Sequence, residues 1–265
     1  MTTRDTPWPE GTPSWVDLST TDRDAAAAFY RSLFGWDVVT GGEEYGGYAT
    51  CLLEGRPVAG IAPLPQGDEG GPGWTTYLSV EDAARTAEAI TAQGGTVVLP
   101  PMQVGDQGRM AIAQDPTGAF FGLWEPGAHV GFQVVNQPGS VVWNECLTRD
   151  PDRARTFYSA VFGHSYTPVE GAADYTGIDG DGPGDTVGGI GALDAGTPPE
   201  VPSHWLTYFA VSNTDQVAVR VTEGGGTVQA GPFDSPFGRI AVVRDPQGAI
   251  FSIIEATGGT DSDQG

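Results

Sequence analysis

One feature limits the fold more than any other: the chain repeats itself. The run WVDLSTTDRDAAAAFY at 15–30 returns as WNECLTRDPDRARTFY at 143–158, and each copy continues to a Phe-Gly pair, Phe34-Gly35 and Phe162-Gly163. WTTY at 74–77 matches WLTY at 205–208, GGTV at 94–97 matches GGTV at 225–228, and DPTGA at 115–119 matches DPQGA at 245–249. The offset drifts only between 128 and 131 residues while the order holds. Solenoid units are far shorter, about 20 to 50 residues, so a repeat of this length implies two duplicated domains. They are placed at 14–126 and 139–256. The stretch between, Glu125 to Ser140, carries Pro126, Gly127, Pro138 and Gly139, as a linker would. From Thr257 the tail is Gly, Asp and Ser and is expected to fray.

Within each copy, the apolar pattern switches between strand and helix periods. In the first, strands are expected at Trp15–Thr20, Trp36–Val39, Tyr45–Leu53 and Pro57–Ala62. Then come Trp74–Val80, Thr96–Pro100, Arg109–Gln114 and Ala119–Trp124. Helices are expected at Ala25–Phe34, capped by Thr21 or Asp22 and stopped by Gly35, and at Ala83–Gln93. Asp115-Pro116-Thr117-Gly118 reads as a hairpin turn, with Pro fixing φ and Gly taking positive φ. The second copy predicts strands near 142–147, 175–179, 187–193, 205–211, 227–230, 239–244 and 249–255, and helices near 151–162 and 213–223. The fold class is α+β, with two βαβββ modules per domain.

Composition narrows the chemistry. The net charge of −22 repels nucleic acid and anionic membranes, and an anionic ligand would need a local Arg. All twelve basic residues are Arg; without lysine there is no Schiff base and no phosphate-loop lysine. GxGxxG at a strand–helix junction and GxSxG are both missing, which disfavours hydride transfer and triad hydrolysis. Cys51 and Cys146 form no CxxC and are expected as buried, reduced thiols. Neither a secretion signal nor an apolar run of the ~20 residues a membrane helix needs is visible, so a cytoplasmic protein is expected.

A strand, an Asp, a helix with Ala-x-x-Phe-Tyr and a Phe-Gly stop, then a later Gly-Gly and Asp-Pro-x-Gly before the last strand, resemble the vicinal oxygen chelate superfamily. This group includes glyoxalases, bleomycin-resistance proteins and extradiol dioxygenases, and the closest likeness is to tandem glyoxalase-like proteins of actinobacteria. The resemblance spans nearly the whole chain, twice. It implies that each domain curls a mixed sheet into a ligand-holding cup. In metal-dependent members, His or Gln on the first strand, His on the fifth and Glu on the eighth hold one divalent ion. Carried over, these positions fall on Trp15, Thr75 and Gly122 in one copy and on Trp143, Leu206 and Ser252 in the other, none a His, Gln or Glu. His129, His164 and His204 lie at unrelated places in the repeat. The expectation is therefore no metal and no cofactor.

Residues two apart on a strand share a face. If Trp15 faces the cup, so does Asp17; their counterparts are Trp143 and Glu145. On the fifth strand Thr75 and Tyr77 share a face, as do Leu206 and Tyr208. A carboxylate at matched strand positions is costly to bury unpaired. Asp17 and Glu145 are thus either catalytic bases with raised pKa or acids tied to a neighbouring Tyr or Arg. Trp15, Thr75, Tyr77, Trp143 and Tyr208 are the candidate ligand-binding residues, and Arg109 and Arg239 pair with the acids, with a ligand carboxylate, or in surface or turn salt bridges. The reading is a metal-independent protein that holds a small apolar or aromatic molecule, as the resemblance to bleomycin-resistance proteins implies. The alternative is an isomerase or lyase working through a buried acid. The expected partner is a small molecule rather than nucleic acid or membrane, and a homodimer is left open.

Overall fold

A computed structural model describes residues 2–42, 45–64 and 70–256. The first half contains β1 (Thr2–Thr3), β2 (Pro13–Thr20), α1 (Arg23–Phe34), β3 (Asp37–Thr40), β4 (Ala49–Leu53) and β5 (Arg56–Pro63). It continues through β6 (Gly73–Ser79), α2 (Ala83–Ala92), β7 (Thr96–Val104), β8 (Gly108–Gln114) and β9 (Phe120–Pro126). After β10 (Val134–Val135), which pairs with β1, come β11 (Val141–Thr148), α3 (Pro151–Phe162), β12 (Tyr166–Pro168), β13 (Tyr175–Asp179) and β14 (Thr186–Ala192). The chain ends through β15 (His204–Ala210), α4 (Thr214–Glu223), β16 (Thr227–Ser235), β17 (Gly238–Arg244) and β18 (Ile250–Ala256). Among the described residues, no helix is long and apolar enough to cross a membrane.

Two mixed eight-stranded sheets result, ordered β3-β4-β5-β2-β6-β9-β8-β7 and β12-β13-β14-β11-β15-β18-β17-β16. Each is a pair of βαβββ modules joined along their first strands, β2 against β6 and β11 against β15, both antiparallel. The helix boundaries follow local chemistry. Asp22 accepts the Ala25 N–H at 3.0 Å to start α1, and Gly35 takes φ +74° to stop it. Asp82 accepts from Ala84 and Arg85 at the start of α2.

Three expectations about strands need correction. Tyr45 to Tyr48 is a turn rather than strand, closed by Tyr48 N–H to the Tyr45 carbonyl at 3.1 Å. Strand β7 runs past Pro100 and Pro101 to Val104, and β16 past Pro232 to Ser235. Both are edge strands, where a missing N–H leaves no ladder bond unmade, and each proline lies at a register irregularity. Strand β12 had no range of its own among the expected strands, although the βαβββ pattern requires it; it is a three-residue edge strand on β13.

The two halves do not keep separate cores. The apolar face of α1, with Phe29, Tyr30 and Phe34, joins Trp36 in packing on Phe209, Val217, Val221 and Phe251 of the second half. Phe34 and Phe209 rings lie 4.9 Å apart. Reciprocally, Ile90, Phe121 and Leu123 pack on Phe157, Tyr158 and Phe162. Helix α1 meets α4, α2 meets α3, and β6 meets β15, where Thr76 and Thr207 both donate to Asn144 Oδ1 at 3.1 and 3.0 Å.

A buried polar pair locks each core. Tyr30 Oη donates to Asp245 Oδ2 at 3.0 Å and accepts from Trp74 Nε1 at 3.1 Å. Tyr158 Oη does the same with Asp115 Oδ2 at 3.1 Å and Trp205 Nε1 at 2.8 Å. The other oxygen of each Asp holds its own turn: Asp245 Oδ1 accepts from the N–H groups of Gln247, Gly248 and Ala249. The repeated Asp-Pro-x-Gly is thus both a turn and a cross-half clamp. Asp245→Ala is expected to lower stability by about 3 kcal/mol, because it leaves buried donors unpaired. Urea unfolding would measure this, and a change under ~1 kcal/mol would contradict it.

Candidate functional site

Alternation along β2 sends Val16 and Leu18 into the shared core and Trp15 and Asp17 to the opposite, concave face. Register then sets their neighbours. Trp15 lies opposite Tyr77 and Asp17 opposite Thr75 on β6, while Asp17 lies beside Gly60 on β5. Because residue 60 has no side chain, Tyr48 folds over it from the turn before β4; a β-carbon there would collide with the Tyr48 hydroxyl. Trp15 Nε1 donates to Tyr48 Oη at 2.8 Å, and the Tyr77 hydroxyl faces the Asp17 carboxylate. Tyr77 in turn lies across Gly122 of β9, where a β-carbon would run into its ring.

The second half repeats this group. Trp143 Nε1 donates to Tyr175 Oη at 2.8 Å, Tyr175 Oη to Glu145 Oε2 at 2.6 Å, and Tyr208 Oη to Glu145 Oε1 at 2.6 Å. Tyr175 passes over Gly189 as Tyr48 passes over Gly60. Glutamate, one methylene longer than aspartate, reaches both phenols, so each of its oxygens is engaged.

Burial dominates the electrostatics. Asp17 is 9% exposed; loss of hydration pushes its carboxyl up to about 7, with the Tyr77 hydrogen bond pulling the other way. Glu145 is also raised by burial, opposed by hydrogen bonds from Tyr175 and Tyr208. Burial holds the Tyr48 and Tyr77 phenols well above their ordinary range, reinforced by the Asp17 charge, so both stay neutral.

A cavity of about 620 Å³ opens over the first group. Trp15, Asp17, Tyr48 and Tyr77 form its base, and Tyr45, Met102 and Met110 line its walls. Trp124 and His129 close one side: Trp124 Nε1 donates to the His129 carbonyl at 2.8 Å, and the imidazole packs edge-on to Trp15 at 4.3 Å. Burial lowers the His129 pKa to about 4, so its ring is neutral. No arginine is among the described residues lining the cavity.

Of the residues singled out from the sequence, Trp15, Asp17 and Tyr77 meet at this cavity, and Trp143, Glu145 and Tyr208 meet in the second cup. Thr75 lies opposite Asp17 but does not line the cavity. Arg109 faces Glu125 at 3.7 Å, and Arg239 bonds Asp215 and Asp234; neither approaches an acid of the cup. Sequence reasoning missed Tyr48, Tyr175, Trp124 and His129. Tyr48 and Tyr175 carried a signal, since each recurs in the repeat along with the glycine it covers. His129 carried none: it comes from the linker, outside the repeated pattern.

These residues do not fit a divalent ion. The first-strand position is an indole bonded to a phenol, and the space over Gly122, where the last-strand ligand would stand, holds the Tyr77 ring. Among the described residues no three His, Cys, Asp or Glu side chains converge, whereas metal sites need such a set.

The fold and sequence have clear relatives. A model of the "Glyoxalase/Bleomycin resistance protein/Dioxygenase superfamily" matches residues 12–123 and again 131–253. "Putative glyoxylase CFP32" of Mycobacterium tuberculosis is 44% identical over 255 residues, covering 93% of this chain and 95% of that one. "Anthracycline biosynthesis protein DnrV" of Streptomyces peucetius is 37% identical over 261 residues, covering 92% and 93%. Among solved structures, the Mn(II)-bound glyoxalase from Novosphingobium aromaticivorans superposes with a TM-score of 0.63 at 14% identity, covering 93% of this chain and 83% of that one. The 2,3-dioxygenase LapB from Pseudomonas sp. KL28 gives 0.62 at 13%, covering 93% of each. With most of its length matched by two copies of one family model, the chain belongs to the glyoxalase/bleomycin resistance protein/dioxygenase superfamily.

Proposed function

We propose that the protein binds a small, flat, largely apolar molecule in the cup of its first half, without a metal ion. The observation that carries this is the cavity of about 620 Å³, walled by aromatic and Met side chains with a few convergent polar groups at its base. That combination is typical of small-molecule sites. The donor set described above supports metal independence. Relatives named for anthracycline biosynthesis add weight to a polycyclic aromatic ligand. Two free, buried thiols suit a reducing, cytoplasmic setting.

The test is fluorescence titration with neutral naphthalene-type probes. Saturable quenching is expected, unchanged by EDTA and abolished by Thr50→Trp, which fills the cavity from its β4 wall. Absence of saturation, or binding that requires added metal, would refute the reading.

A second reading, an isomerase or lyase, draws on one observation: the Asp17 carboxyl sits near 7, where an acid can both take and give a proton. Glu145 is the weaker candidate, since both its oxygens already accept from phenols. If this reading holds, Asp17→Asn abolishes turnover and leaves binding intact.

A further inference from the structure

We infer that the first cup selects an organic cation, holding an ammonium group between the Asp17 carboxylate and the surrounding aromatic faces. The inference rests on the cavity being the ligand site and adds the charge class of what enters. Four observations lead to it.

First, the only carboxylate among the described residues lining the cavity is Asp17, at its base, and no guanidinium faces it. The nearby imidazole of His129 is kept neutral by burial. An anion entering here would lose its water beside a like charge, with no partner to compensate. Second, the cavity that Asp17 opens into is lined by the rings of Trp15, Tyr45, Tyr48, Tyr77 and Trp124, and such rings attract a desolvated cation through their quadrupoles. Third, Asp17 keeps spare acceptor capacity: among the described residues, Tyr77 alone stands as a side-chain hydrogen-bond partner of its carboxylate. In the second cup, Glu145 takes a phenol on each oxygen. The two cups therefore differ where a ligand's N–H groups would dock. Fourth, the chain carries a net charge of −22, and a field of that sign gathers cations toward a cleft and repels anions.

The ligand is thus pictured as a flat apolar body, gripped by Trp15, Trp124 and the Met side chains, that carries a protonated amine. Cation–π contact and a buried counter-ion are each worth enough to show as at least about a tenfold preference over an uncharged analogue.

Three probes of one shape test this on the full chain by isothermal titration at pH 8: 1-naphthylmethylammonium, 1-naphthylmethanol and 1-naphthoate. The expected order is ammonium tightest, alcohol at least about tenfold weaker, and carboxylate without measurable binding. Asp17→Asn, with its fold checked by circular dichroism, is expected to cut the preference for ammonium over alcohol by about tenfold, leaving the share that the aromatic faces supply. Equal affinity of the two in the wild-type protein, or tighter binding of the carboxylate, would overturn the charge class while leaving the cavity a ligand site. Failure of all three probes to bind would overturn both.

Discussion

A chain cut after Asn136 is expected to give no folded monomer. This half keeps its own sheet but loses what covers it: Phe29, Tyr30 and Phe34 of α1 are buried against Phe209 and Phe251, which the fragment lacks. Exposing three such side chains costs roughly 5–9 kcal/mol, as much as the whole stability of a typical domain. Tyr30 and Asp115 would lose Asp245 and Tyr158, leaving the Tyr30 hydroxyl hydrogen and Asp115 Oδ2 without their acceptor and donor. The fragment does carry both members of the clamp, Tyr30 and Asp115, because the interface between halves has twofold-like reciprocity. Two copies can therefore stand in for the intact chain, Tyr30 of each meeting Asp115 of the other. Folded material is expected to sediment as a dimer, with an unfolding midpoint that rises with protein concentration. A folded monomer with a concentration-independent midpoint would show that each half owns its core after all.

Asp17→Asn is expected to stabilise the protein at alkaline pH. The sign follows from the direction of the shift. The carboxyl titrates near 3.8 in the unfolded chain and near 7 in the folded one. Between those values the folded state holds a proton that the unfolded state has released, so stability falls as pH rises from about 4 to 7 and then levels. The loss is at most about 4 kcal/mol, since each tenfold step corresponds to about 1.4 kcal/mol. Asparagine keeps the shape and removes the charge, so the variant should exceed the wild type at pH 8 and converge on it near pH 4. Glu145 is raised in the same direction, and Glu145→Gln should add a further gain. Urea unfolding at pH 5 and pH 8 decides the matter; an identical pH dependence in wild type and Asp17→Asn would mean that Asp17 is ionised and well solvated when folded. A stability penalty at the working pH is what a group retained for ligand contact, rather than for packing, would carry.

Much of the framework was legible because it is written in short-range chemistry. The strand–helix–strand rhythm, the Asp22 cap, the Gly35 stop and the Asp-Pro-x-Gly turns each depend on a few adjacent residues, and the repeat presented each signal twice. Even two of the hidden site residues left a trace, since Tyr48 and Tyr175 recur with the glycines beneath them. Strand β7 shows where local rules mislead: its prolines argue against a strand until the neighbouring space is known to be empty on one side. His129 and Trp124 show a deeper limit. No spacing tells that a linker will fold back to close one cup, because the contact spans elements whose separation along the chain carries no period.

From its own order of residues the chain determined the two sheets, their alternation and hence which side chains share the face of Trp15 and Asp17. Only the tertiary structure decided that each core is built across the two halves, that Asp115 and Asp245 each reach out to a tyrosine of the opposite half, and that the two cups differ in how their acids are satisfied. The physical reason is the same in each case. Periodicity specifies which face of an element is apolar, but burial, and with it the cost of an unpaired charge, depends on what is brought against that face from elsewhere in the chain.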